Sequence, residues 1–224
     1  MLYEKKKMDV MLSLNEAAIS SSEDFKAYRE EANHRIANSL QIISALVRKR
    51  VKSGDVSDPQ TFLLEIADRI ETVGKLHRFL ARSTTGTVNL RAYLEEVCTR
   101  LRGAVAPAAT SFSFDCPPAC HLPAQKALPV ALITAELVSN SLKYAHPAGL
   151  PTRISLSCAH EEKGRLMMAY EDDGVGFPEG FDVTTAGHMG MSFIRLLSEG
   201  LGGQHEWHSD PLGIRFEIAL PIDG

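Results

Sequence analysis

The chain has 224 residues, 44% of them hydrophobic, enough for one large domain or two small ones with a buried core. Its 24 Lys and Arg against 28 Asp and Glu leave a net charge of -4, so no chain-wide basic field draws it to nucleic acid or an anionic membrane. No apolar run approaches the roughly 20 residues of a membrane span, and the start MLYEKKKMDV has no apolar signal core, so a cytoplasmic protein with no membrane span is expected. The four cysteines, Cys98, Cys116, Cys120 and Cys158, lack a second ligand pair at zinc spacing and read as reduced structural thiols.

Residues 1–21 show no firm periodicity and read as a lead, either mobile or extending the first helix. From Ser22 the sequence runs about thirty residues without Gly or Pro, and Ile36, Leu40, Ile43, Val47 and Val51 recur at helical spacing. Gly54 breaks this helix, and Asp58 before Pro59 supplies a cap and a first-turn residue for the next. Phe62, Ile66, Ile70, Val73, His77 and Leu80 form the stripe of that second helix, and His77 on it reads as a hydrogen-bonded core histidine. Residues 22–84 are therefore a helical hairpin whose apolar stripes are wide enough to call for a second copy, giving a dimeric four-helix bundle.

Residues 85–224 change character. A short helix at VNLRAYLEEVCTRL precedes a strand at SFSFDC and a long helix at ALPVALITAELVSNSLKYA. RISLSCA and RLMMAYEDD form two strands, a glycine-rich loop covers 174–190, the helix MSFIRLLSEGLG follows, and QHEWHS and IRFEIALP form the last strand pair. The fold class is α+β: the hairpin, then a two-layer sandwich of helices on a mostly antiparallel mixed sheet.

Three groups of residues carry chemistry. On the first helix, Asn38 and Gln41 fall within about 40° of His34 and the apolar stripe lies opposite, so the imidazole faces solvent. A neutral imidazole there is a potential phosphoryl-accepting nucleophile, with amides to orient the ring or a water. On the long helix Glu136, Asn140 and Lys143 share one face in the same way: an acid to polarise an attacking group, an amide oxygen suited to Mg2+ and a cation for phosphate. Each of these faces could also be a plain solvated surface. The run Asp172-Asp173-Gly174-Val175-Gly176 ends a strand with glycines that let backbone approach a ligand, and Asp172 can accept from an exocyclic amine. Gly190 and Met191 then open a helix whose N-terminus is suited to phosphate. The Walker and Rossmann fingerprints are both absent.

In that order, HRIANSLQ at 34–41, AELVSNSLKYAHP, EDDGVGFP and GHMGMSFIRLL resemble the two-component sensor histidine kinases with a His-Arg-x-x-Asn-x-Leu-Gln acceptor helix and a GHKL-type ATPase domain. RIETVGKLHRFL at 69–80 is similar to the second bundle helix of that subfamily. The resemblance implies phosphorylation of His34 from Mg-ATP and transfer to an aspartate of a response-regulator receiver domain. It further implies that Glu136 assists catalysis, Asn140 holds Mg2+, Lys143 touches phosphate and Asp172 reads the adenine amino group. Gly174 and Gly176 then make room for the base, Gly190 and Met191 lie at the phosphate end, and Asn38 is a candidate for positioning water in regulator dephosphorylation. The second glycine box departs from the pattern in carrying His188. About twenty residues before the hairpin are too few for a sensory domain, so the signal is expected from a separate sensory protein or a longer chain. A histidine phosphotransferase, a regulator phosphatase or a non-enzymatic docking dimer on the same scaffold would have no need of the nucleotide residues.

Overall fold

The computed structural model describes residues 33–34, 36–54, 58–80, 86–105, 110–161, 164–183 and 189–222. The expected lead at 1–21, the first helical turns from Ser22 and His188 lie outside them.

Asn33 and His34 are helical, helix α1 spans 36–53, and α2 spans Pro59–Leu80. Asp58 starts α2 as a cap: its carboxylate accepts the backbone N–H of Gln60 at 3.0 Å and the hydroxyl of Thr61 at 2.5 Å. Ile43 and Leu46 of α1 and Phe62, Val73 and Leu76 of α2 are buried in the hydrophobic core. The stripe is narrower within one chain than its spacing implies, because Leu40, Val51 and Ile70 remain exposed.

Strand β1 (Thr87–Asn89) leads into α3 (Leu90–Val105), where the Asn89 side chain caps the N–H of Ala92 at 3.0 Å. Strands β2 (Ser111–Asp115) and β3 (His121–Pro123) precede the long helix α4 (Ala124–Tyr144). The hairpin of β4 (Arg153–Glu161) and β5 (Arg165–Asp172) follows, then α5 (Met189–Gly200), and finally β6 (Gln204–Asp210) and β7 (Gly213–Pro221). The main sheet has the order β2-β4-β5-β7-β6, parallel between β2 and β4 and antiparallel elsewhere. The parallel pair needs a crossover, and α4 lies in it. Strands β1 and β3 pair separately as a short antiparallel ribbon.

Alternation decides which face of the sheet is covered. Ile154, Leu156 and Cys158 of β4, Leu166, Met168 and Tyr170 of β5, and Phe216, Ile218 and Leu220 of β7 are buried together. Helices α3, α4 and α5 form the other layer, with α4 in the middle touching both. That position explains its composition: Leu128, Val130, Ala131, Leu132 and Ile133 in succession are buried, as expected of a helix covered on several sides. All four cysteines are buried free thiols. Among the described residues no helix is long and apolar enough to cross a membrane.

Candidate functional site

A cavity of about 460 Å³ opens between α4, the end of β5, the loop after it and the start of α5. Glu136, Asn140, Lys143, Asp172, Gly176, Gly190 and Met191 all line it, so the sequence-predicted residues of the sandwich, Gly174 apart, meet around one cavity. His34 and Asn38 do not. They are exposed on α1 together with Gln41.

The pocket is built by contacts between elements distant in the sequence. Asp172, almost fully buried at the end of β5, accepts the N–H of Gly174 at 3.0 Å and of Ile214 at 3.2 Å through Oδ1. Its Oδ2 takes the hydroxyl of Ser141, which in turn accepts from the Tyr170 hydroxyl at 2.8 Å. Burial pushes the Tyr170 phenol well above its ordinary value, so it stays a donor. This network fixes the Asp172 carboxylate before any ligand arrives.

The glycines pack the protein against itself as well as edging the cavity. A Cβ on Gly174 would lie 2.6 Å from the Cα of Ala145, and one on Gly190 would collide with Oε1 of Glu136. Gly176 has φ of 73° and its Cβ would run into the carbonyl oxygen of Asp210, so both its conformation and its space call for glycine. Helix α5 begins at Met189 rather than Met191, which puts Gly190 inside its first turn, against the Glu136 carboxylate.

Four parts of the site were not among the candidate site residues of the sequence. Arg69 of α2 reaches into the sandwich and places Nη2 2.6 Å from Oε1 of Glu136. Its Nη1 donates to the carbonyl of Glu65 at 3.1 Å, and its guanidinium carbon lies 5.8 Å from the centre of the Phe193 ring. Burial raises the Glu136 carboxyl above its ordinary pKa, against the opposing pull of Arg69. The polar face of α4 is thus no plain solvated surface at Glu136. His146 Nε2 lies 3.0 Å from Oδ1 of Asp173, which also accepts the N–H of Arg153 at 2.8 Å, tying the end of α4 to the glycine turn. Phe177 stacks on Phe181 with centres 4.8 Å apart and leans on Trp207 at 5.6 Å, giving the pocket an aromatic side. Arg50 of α1 and Glu65 of α2 complete the lining from the hairpin.

Two family models match. One described as "Histidine kinase" covers residues 31–105, and one described as "Histidine kinase-, DNA gyrase B-, and HSP90-like ATPase" covers residues 125–224. The chain belongs to the two-component histidine kinases. It is 26% identical over 191 residues to the sensor histidine kinase PdtaS of Mycolicibacterium smegmatis, covering 82% of this chain and 37% of that protein. It is 24% identical over 202 residues to blue-light-activated histidine kinase 2 of Erythrobacter litoralis, covering 86% of this chain and 56% of that one. The chain therefore spans between about a third and a little over half of these relatives. The solved histidine kinase domain of the Erythrobacter litoralis EL346 blue-light activated histidine kinase shares its fold, with a TM-score of 0.64 at 23% identity over 86% of this chain and 92% of that one. The ATPase family of the second region implies ATP binding. In this histidine kinase the acceptor candidate His34 and the nucleotide-site candidates thus stand on separate parts of one chain.

Proposed function

We propose that this chain is an autokinase: it binds Mg-ATP in the 460 Å³ pocket, phosphorylates His34 and passes the phosphoryl group to an aspartate of a response-regulator receiver domain. The single observation that carries the reading is the convergence of Glu136, Asn140, Lys143 and Asp172 on one cavity in a chain that also exposes His34 on a helical hairpin.

The donor set fits the metal. Among the described residues no group of three or more His, Cys, Asp or Glu could hold an ion. Mg2+ in nucleotide sites needs only one or two side-chain oxygens, with substrate phosphates and water supplying the rest. Asn140 on the cavity wall offers a hard amide oxygen, and bound Mg2+ would neutralise charge on the phosphates. Lys143, one turn further along α4, adds a positive charge at the same rim. The buried Asp172 carboxylate is the acceptor for the adenine amino group, and the first turn of α5 at Gly190 and Met191 faces the phosphates.

In the transfer step a ring nitrogen of neutral His34 bonds to the γ-phosphorus of ATP. The γ-phosphorus–oxygen bond breaks with its electron pair going to ADP, and the proton on the other ring nitrogen passes to a base. Glu136 is the carboxylate that assists. Asn38, one turn beyond His34 and exposed, is the candidate to orient water when a phosphorylated regulator is hydrolysed. Leu63 at 65% and Leu64 at 60% exposure, with Leu40, Val51 and Ile70, leave the hairpin an apolar surface that a second copy would cover. The chain is incubated with γ-labelled ATP and Mg2+; acid-labile, base-stable label on the protein is expected, and a folded, nucleotide-binding chain that takes up none contradicts the reading.

A further inference from the structure

The ion pair between Arg69 and Glu136 is where the hairpin grips the ATP-binding part of the chain. Both side chains are close to fully covered, with 10% and 12% exposure, and the contact is direct at 2.6 Å. Arg69 touches α4 through Glu136 and α5 through the Phe193 ring, while Glu65 on its own helix holds the guanidinium from behind. One side chain of the hairpin thus spans both helices that shape the nucleotide pocket.

The place of this grip along the hairpin matters. Helix α1 ends at 53 and α2 begins at Pro59, so an antiparallel pair sets Arg69 level with about Ile43 of α1. The pocket's hairpin residues Arg69, Glu65 and Arg50 lie at heights about 14 to 24 Å from His34, at 1.5 Å of rise per residue. Attack on phosphorus needs the reacting atoms within about 3.5 Å. In the arrangement seen here the pocket therefore faces the lower half of the hairpin and not the acceptor. A two-fold axis along the bundle would put a second copy's His34 at the same height, so transfer between chains meets the same gap.

We infer that Arg69 is a positioning residue that clamps the ATP-binding part to the lower hairpin in a resting arrangement, and that the Arg69–Glu136 pair must part before His34 is phosphorylated. The inference rests on the autokinase reading. The clamp acts twice, because the carboxylate it engages is the one assigned to assist transfer: while Arg69 holds Glu136, the pocket is far from His34 and its acid is occupied.

The test reads position and rate separately. Fluorophores on Lys52→Cys and Leu212→Cys, both exposed and so distinguishable from the four buried native thiols, report the separation of hairpin and sandwich, with excess unlabelled chain to isolate distances within one copy. Arg69→Gln is expected to broaden that distance distribution and to raise the initial rate of His34 phosphorylation at saturating Mg-ATP several-fold, with KM for ATP changed less than twofold. Arg69→Lys, which keeps the charge, is expected to keep the parent's distance distribution. A folded Arg69→Gln chain with an unchanged distance, or with slower phosphorylation, overturns the clamp. With Arg69 intact, a cleavable bis-thiol bridge between Asp68→Cys and Ser139→Cys, across the cleft between α2 and α4, should stop phosphorylation, and cleavage should restore it. Full-rate phosphorylation of the bridged chain also overturns the clamp. If the parent chain takes no label, the autokinase reading fails, and the distance change in Arg69→Gln still decides whether the clamp exists.

Discussion

The proposed acceptor helix and the proposed nucleotide pocket obtain their surroundings in opposite ways. His34, Asn38 and Gln41 stand exposed on α1, and their common face follows from helical period alone. Glu136, largely covered, and Asp172, buried, are held by Arg69, Ser141 and Ile214, which come from other elements. A reactive group on an exposed stripe can be removed without disturbing the fold, whereas a reactive group in the pocket is also a structural one.

The sharpest way to break this contrast is at its extremes. His34→Ala should abolish acid-labile labelling altogether while leaving nucleotide affinity and the unfolding midpoint unchanged, since an exposed helical substitution costs within about 0.5 kcal/mol. A variant that also lost nucleotide binding would show that the acceptor helix is not independent of the pocket. Asn140→Ala should reduce Mg-dependent nucleotide affinity by about a hundredfold or more, on the order of 3 kcal/mol, with helical content retained. Quenching of Trp207, the single tryptophan and a lining residue of the pocket, is the readout.

Asp172→Ala probes the double role directly. It strips an acceptor from the N–H groups of Gly174 and Ile214 and from the Ser141 hydroxyl, so a loss of about 3 kcal/mol of stability is expected beside a loss of preference for adenine over guanine nucleotides. Unchanged denaturant midpoint with lost preference would make Asp172 a purely ligand-facing group.

The smallest effect is a displaced pH profile. The Glu136 carboxyl is raised by burial, against the pull of Arg69 and Lys143 and with Glu65 adding to the rise. A raised carboxyl takes up its proton at a higher pH than a free one, so the labelling rate should fall as pH drops through a value above the ordinary ~4.3 of glutamate. Its effect on stability has the opposite sign: the folded chain binds this proton more readily than the unfolded one, so the group favours folding more as pH falls through that raised value. Glu136→Gln should remove the step from the rate profile; a step that survives belongs to another group.

Legibility followed the same division. The hairpin, the long helix α4 and the two strand pairs β4–β5 and β6–β7 could be read because period, caps and turns are local signals, and Asp58-Pro59 marked the start of α2 in the sequence and in the structure. Strands β1 and β3 were not legible, since three-residue strands exist only through pairing with each other across α3. The apolar stripe of α2 was legible, but not that Arg69 beside it would turn inward, because its partner lies in another part of the chain. The aromatic side of the pocket was missed for the same reason: Phe177, stacked on Phe181 in a loop, meets Trp207 on β6 only after the sheet has formed. His146 lies in the AELVSNSLKYAHP run, but its partner Asp173 is brought to it only by the end of β5.

The most direct test of the account is to map the phosphoryl group. The chain is labelled with Mg-ATP, digested at alkaline pH to preserve phosphohistidine, and the modified peptide is identified by mass spectrometry. The account predicts a single labelled position, His34. Label on another histidine or on a hydroxyl side chain would contradict it.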